Sequence, residues 1–273
     1  MKLSCLPVSI FSEICSGEIK LNEWSNFAAK IGLDAFDISI LFIRDRTPTG
    51  LKNARKEIDA GGIPLGMIAT YPDFATPDDE FRSKELHRSL GDIATAADLG
   101  AEYVRITAGQ YYPGQDNIKS LEGIVRCLYI CSEAAQKYGI KLLWENHSKP
   151  GAWENIDFNY DVERLEMMHH ELEDGPVLMN YDIANACLLG FGVELFEKYY
   201  NQIATIHVND VKSVSPIKFC GIGNGIAKVQ ETLELAKNRG FNGMVSVEEA
   251  SFEGWAGISK YVAETRSYIE NSK

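Results

Sequence analysis

Apolar residues recur along this chain in two alternating styles. Short strand-like runs alternate with longer stretches whose apolar positions repeat every three to four residues. The strand-like runs are Leu3–Pro7, Ala35–Ser39, Ile63–Ala69, Tyr103–Thr107, Lys141–Glu145, Val177–Asp182, Ile203–Asn209 and Met244–Glu248. Between them the periodicity predicts helices that include Leu21–Ile31, Asp78–Leu99, Asn117–Tyr138, Tyr160–His170 and Val229–Arg239. Glycine marks the junctions: "AKIGLDAFDIS", "AADLGAEYVRI", "QKYGIKLLWE" and "KNRGFNGMVSVEE" each read helix, glycine stop, strand. No Ser/Pro-rich linker or shift of composition divides the chain, so residues 1–273 read as one domain. Eight such units predict a (β/α)8 TIM barrel. A doubly wound open sheet is the alternative, but it would place a glycine-rich fingerprint after the first strand, where none stands.

Parity within the later strands favours closure. In "VLMNYD", Val177, Met179 and Tyr181 alternate with Leu178, Asn180 and Asp182, and in "MVSVEEA" Val245 and Val247 alternate with Ser246 and Glu248. In "KLLWENH", Leu142 and Trp144 oppose Leu143, Glu145 and His147. In "ATIHVND", Ala204, Ile206 and Val208 oppose Thr205, His207 and Asn209. Each strand has one apolar parity and one that turns polar toward its C-terminal end. A sheet covered by helices on both faces would be apolar at both parities. In a barrel the apolar parity packs on the helices and the other lines the lumen, with the active site at the C-terminal mouth.

Composition narrows the partners. The 273 residues are 45% hydrophobic and 24% charged, ordinary for a globular chain with a large core. Lys and Arg total 27 against 39 Asp and Glu, a net charge of −12, and no basic run interrupts it. Such a surface repels phosphate backbones, so no nucleic-acid partner is expected. No segment has the length of a membrane span, and "MKLSCLPVSIFSEIC" is broken by Pro7, Ser9 and Glu13, unlike a secretion signal. Cys127 and Cys131, on one predicted helix, have neither zinc nor redox spacing; all six cysteines read as reduced, as in a cytoplasmic protein. A homo-oligomer is compatible with all of this.

The inward parity selects Glu145, Asp182, His207 and Glu248 at the ends of four strands, and it chooses Glu248 over Glu249. Three carboxylates converging without a counter-charge would repel one another and raise their pKa values. A divalent cation resolves this, and three oxygens with one imidazole suit Mn²⁺, Co²⁺ or Mg²⁺. The competing explanation is that each acid pairs separately with a Lys or Arg at the rim.

The ordered series "EWSNFAAKIGLDAFDIS", "PDFATPD", "GAEYVRITAG", "LLWENH", "NYDIANACLLG", "IHVND", "CGIGNG" and "RGFNGMVSVEEAS" resembles the xylose isomerase-like TIM barrels. This sugar isomerase and epimerase group shares its fold with AP endonuclease family 2. The resemblance implies metal ligands on the fifth to eighth strands, matching Glu145, Asp182, His207 and Glu248. It implies a sugar isomerase or epimerase that works through an enediolate on a keto-sugar or sugar phosphate. One divalent metal is expected, Mn²⁺ ahead of Co²⁺, Mg²⁺ or Zn²⁺. Glu145 and Glu248 would be the catalytic pair, one removing a proton and the other returning it. A keto-inositol (cyclitol) dehydratase or lyase using the same site is the alternative, and a non-catalytic sugar-binding barrel is another.

One departure stands out. Where relatives often carry Asp-x-x-His, this chain reads "DIAN", and Asn185 can hydrogen-bond a hydroxyl but cannot carry a proton. That points to a different substrate. The endonuclease branch needs more histidines than the five present, and Thr70 and Gly109 stand near its early-strand ligand positions. Candidate substrate contacts are His147, Asn185, Asn209 and Arg105, with Arg105 favoured as a buried partner of the carboxylates or of Asp37. Asp210 and Lys212 read as rim residues. "GIGNG" at 221–225 is a weak phosphate-cradle candidate, lacking a following Lys-Ser/Thr. Trp144, Trp153, Tyr181, Phe74 and Trp255 read mostly as core, though Trp153 and Phe74, on loops at the mouth, could instead wall a sugar ring.

Overall fold

In the computed structural model, which describes residues 1–148 and 153–271, every predicted barrel strand forms. Chain order runs β1 (Lys2–Leu6), α1 (Phe11–Ser16), α2 (Leu21–Lys30), β2 (Phe36–Ser39), α3 (Pro48–Asp59), β3 (Leu65–Ala69) and α4 (Asp79–Leu99). It continues through β4 (Tyr103–Ile106), α5 (Asn117–Lys137), β5 (Lys141–Glu145), α6 (Val162–Leu172), β6 (Leu178–Asp182), α7 (Ile183–Leu188) and α8 (Glu194–Tyr199). Then come β7 (Ile203–Val208), β8 (Asp210–Val214), β9 (Ile217–Cys220), α9 (Val229–Asn238), β10 (Met244–Glu248) and α10 (Gly254–Asn271). The four junction glycines, Gly32, Gly100, Gly139 and Gly240, all adopt φ between +74° and +77°, the left-handed stop that a Cβ disfavours. At the other end, Asp78, Asp116 and Asp161 cap α4, α5 and α6 by accepting from first-turn amides.

Eight parallel strands, ordered β1-β10-β7-β6-β5-β4-β3-β2, make a nearly closed single-domain TIM barrel. The seam between β1 and β2 lacks a full ladder. It is joined by the Leu3 carbonyl, which accepts from Asp34 and Ala35 N–H, and by the Leu3 N–H, which donates to Asp34 Oδ2 at 2.8 Å. Asp37 on β2 completes it, accepting from Ser4 Oγ of β1 at 2.6 Å, Met67 N of β3 at 2.8 Å and Ser246 Oγ of β10.

The two parities separate into two cores. Leu142, Trp144, Met179, Tyr181, Ile206 and Val247 join the large cluster between strands and helices. Met67, Tyr103 and Leu143 form a separate plug inside the lumen, with Leu178 against it; Ala204 joins it against its expected outward parity, at the irregular step in the β6–β7 register. Above that plug the lumen turns polar, so the site has an apolar floor.

The structure adds what periodicity did not announce. An antiparallel pair, β8 and β9, forms a separate sheet after β7; the sequence does not announce it because the residues beyond Asn209 mix polar and apolar positions over short runs. Phe74 is wholly buried in the outer core, which bears out the core reading over the alternative of a wall at the mouth. Gly109, in the loop after β4, has φ +115°, and a Cβ there would come within 2.6 Å of Ala75 N and 2.7 Å of Phe74 N. Gly109→Ala should therefore lower unfolding free energy by about 1–3 kcal/mol in a denaturant titration. An unchanged midpoint would show that the loop after β3 does not need this close approach.

Candidate metal centre

Strand register places the four inward polar residues on one level. Asp182 of β6 and Ser246 of β10 both sit opposite His207 of β7, which puts Glu248 one inward step above His207. Glu145 of β5 lies opposite Asn180, one inward step below Asp182. This stagger brings Glu145, Asp182, His207 and Glu248 together, with one ligand atom from each within 4.8 Å of the others. The cluster could hold a metal ion.

Each carboxylate is braced by a neighbour. Glu145, completely buried, lies with Oε2 2.8 Å from Arg105 Nε, and the same oxygen accepts from Asn180 Nδ2 at 3.0 Å. Thr205 Oγ1 fixes that amide by donating to Asn180 Oδ1 at 2.6 Å. Asp182 ends β6 and caps α7, its Oδ1 accepting from Asn185 N at 2.6 Å. Asn209 Nδ2 donates to both Asp182 Oδ2, at 3.0 Å, and Glu248 Oε2, at 2.8 Å, while its Oδ1 accepts from Ala184 N at 3.1 Å. Asn146 locks the Asp182 backbone from both sides, accepting from its N–H and donating to its carbonyl.

Electrostatics follow from this packing. Burial pushes the Glu145 carboxyl up, but Arg105 and then His207 overcome that and hold it well below the usual carboxylate range. Asp182 goes the other way: burial, then Glu248 and Glu145, raise it well above its ordinary value. Burial lowers the His207 imidazole, yet Glu145 and Glu248 raise it to about 9. Its Nδ1 stands 3.7 Å from Glu145 Oε1 and 3.9 Å from Glu248 Oε2. Both His207 ring nitrogens and Glu145 Oε1 are buried without a hydrogen-bond partner. Buried polar atoms are rarely left so, and a cation among three oxygens and an imidazole is the group that fits these.

The remaining sequence candidates occupy distinct places. Arg105 is fully buried, ion-paired to Glu145 and lying 4.9 Å from the Tyr71 ring centroid, the buried-partner position. Asn185 is buried at the start of α7 with Oδ1 unpartnered. His147, just past β5, has Nδ1 3.4 Å from Asp157 Oδ2. That Asp157 was not foreseen; burial raises it to about 6, with His147 opposing the rise. Its only sequence signal was an acid in the long segment after the fifth strand.

Asp210 is not a rim residue. It is buried and accepts from Val211 N at 2.9 Å, Gly223 N at 3.0 Å, Gly225 N at 2.8 Å and Ala227 N at 3.1 Å. The glycine loop that resembled a phosphate cradle thus closes on the chain's own carboxylate. Lys212 is exposed on β8. Glu249, next to Glu248, turns away and accepts from Ser251 N at 2.8 Å.

The xylose isomerase-like TIM barrel model matches residues 26–270, so the chain belongs to that family. Similar solved structures include a D-tagatose 3-epimerase-like protein, with TM-score 0.79 and 20% identity over 100% of this chain and 98% of that one. The IOLI protein with a bound zinc atom gives TM-score 0.77 and 17% identity over 100% and 99%. The 3-keto-D-glucoside 4-epimerase YcjR of E. coli gives 0.76 and 13% over 98% and 99%. At these identities the likeness is one of fold. No protein of curated function matches the sequence significantly. Among the described residues no helix is long and apolar enough to cross a membrane.

The raised His207 yields a prediction about metal uptake. A metal takes the neutral imidazole, whereas the metal-free side chain is protonated below about 9. Divalent metal affinity should rise with pH up to that value and level off above it. Calorimetry near neutral pH in two buffers of different ionisation enthalpy should report at least one proton released per cation. No buffer dependence would contradict it.

Proposed function

We propose that the chain is a divalent-metal-dependent sugar isomerase or epimerase acting on a keto-sugar or sugar phosphate. The observation that carries this reading is the cluster of buried Glu145, Asp182 and His207 with half-buried Glu248, with His207 and Glu145 atoms left unpartnered at the polar end of the lumen. Family membership and the sugar epimerases among similar folds support it. Those four side chains would hold one cation, Mn²⁺ ahead of Co²⁺, Mg²⁺ or Zn²⁺. When bound, it supplies a Lewis acid that stabilises negative charge developing on a substrate carbonyl oxygen.

The chain's own residues do the rest. Glu145 and Glu248 approach the cluster from different strands, and one removes a proton beside the carbonyl while the other returns one. They are braced unequally: Arg105 and Asn180 grip Glu145 Oε2, whereas Glu248 is held through Asn209 and its side chain keeps 19% exposure. Glu248 is therefore the carboxylate best placed to meet a substrate and take the first proton. His147, backed by Asp157, and Asn185 offer hydrogen bonds to sugar hydroxyls. Water is limited from below by the Met67, Tyr103 and Leu143 plug.

Adjacent carboxylates give the test. Glu248→Gln should lower turnover by about 10²-fold or more, while Glu249→Gln should leave it within a few-fold. The readout is solvent deuterium entering a sugar C–H position, followed by NMR with Mn²⁺ present. Equal losses in the two variants would contradict the assignment.

A further inference from the structure

The polar atoms around the mouth bear on the charge of the ligand. In barrels of this kind, anions such as phosphate bind at loops after the seventh and eighth strands and at a nearby helix N-terminus. Here the loop after β9 has the amides of residues 223–227 committed. Gly223, Gly225 and Ala227 donate to Asp210, Asn224 N donates to the Gly221 carbonyl, and Ile226 N to the Val211 carbonyl. A buried carboxylate fills the position an anionic ligand would need, and its charge repels a second anion.

The buried guanidiniums are committed as well. Among the described residues only Arg105 and Arg164 are buried cations of that kind. Arg105 is engaged by Glu145 and lies against Tyr71. Arg164 donates to the Phe158 carbonyl and stacks 4.1 Å from the Tyr111 ring centroid. Near the end of β5, besides Glu145 Oε1, already assigned to the cation cluster, the unpartnered polar atoms are Asn159 Oδ1, an acceptor, and Asp157 Oδ2 and His147 Nδ1, which lie 3.4 Å apart. The Asn159 oxygen is fixed as the acceptor because its Nδ2 donates to the Glu145 carbonyl at 2.7 Å. Acceptors are matched by hydroxyl donors and repel the oxygens of a phosphate or carboxylate.

We infer that this centre takes an uncharged polyol, a keto-sugar or cyclitol bearing neither phosphate nor carboxylate. The inference rests on the sugar-processing reading above and narrows its substrate class. Asp210 is then a specificity element: it builds the loop and denies it to anions.

Matched pairs test the charge preference on the wild-type, Mn²⁺-loaded protein: D-fructose with D-fructose 6-phosphate, and D-xylulose with D-xylulose 5-phosphate. Binding is read from paramagnetic broadening of ligand resonances, and proton transfer from solvent deuterium incorporation in the same samples. The neutral member of at least one pair should bind about tenfold tighter or more than its phosphate ester. A phosphate ester that binds as well as or better than its partner overturns the inference, as does a panel in which no neutral member binds. Neutral preference without deuterium incorporation leaves the charge inference standing and removes the proton-transfer reading for these sugars.

Discussion

Three carboxylates and an imidazole gathered at one end of a barrel lumen, all but Glu248 fully buried, set the terms for the rest of this structure. Taking such charges out of water costs several kcal/mol each unless they are compensated. Compensation comes first from Arg105, the buried guanidinium against Glu145. Next come neutral amides: Asn180 on Glu145, Asn209 across Asp182 and Glu248, and Asn146 on the Asp182 backbone. What these do not satisfy is concentrated on His207 and one oxygen of Glu145, where a cation fits.

The fold serves this arrangement by stagger. With Asp182 and Ser246 flanking His207, and Glu145 a step lower, side chains from four strands converge on one cluster. A plug of Tyr103, Met67 and Leu143 lies beneath, and Asp37 ties β1, β2, β3 and β10 together at the seam. Asn209, just past β7, connects Asp182 and Glu248 through a single side chain. Its register position suited a substrate contact, but its amide hydrogen bonds run to the protein.

Much of this was legible because strands obey a period of two. The parity that made Val245 and Val247 greasy forced Ser246 and Glu248 inward, and the same rule separated Glu248 from Glu249. Supporting residues were harder to read. Asn180 and Thr205 have the inward parity, but nothing local says that one amide would bridge β7 to Glu145. Asp157 and Asp210 act through loops, where no period exists and partners lie far apart in sequence. Asp210 did carry a signal: an acid leaving one strand, followed by glycines at 221, 223 and 225, suits a carboxylate collecting backbone amides. The sequence suggested a phosphate cradle because glycine spacing reports free amides, not what fills them. Phe74 left a second reading open for a related reason, since a loop position does not reveal that its ring folds back into the core.

The central claim is that Glu145, Asp182, His207 and Glu248 hold one cation in common. Anomalous diffraction at the manganese edge from crystals grown with Mn²⁺ tests it most directly. One peak per chain is predicted, about 2.0–2.4 Å from an oxygen of each carboxylate and from a His207 ring nitrogen. A peak elsewhere, or none at saturating Mn²⁺, would contradict the account.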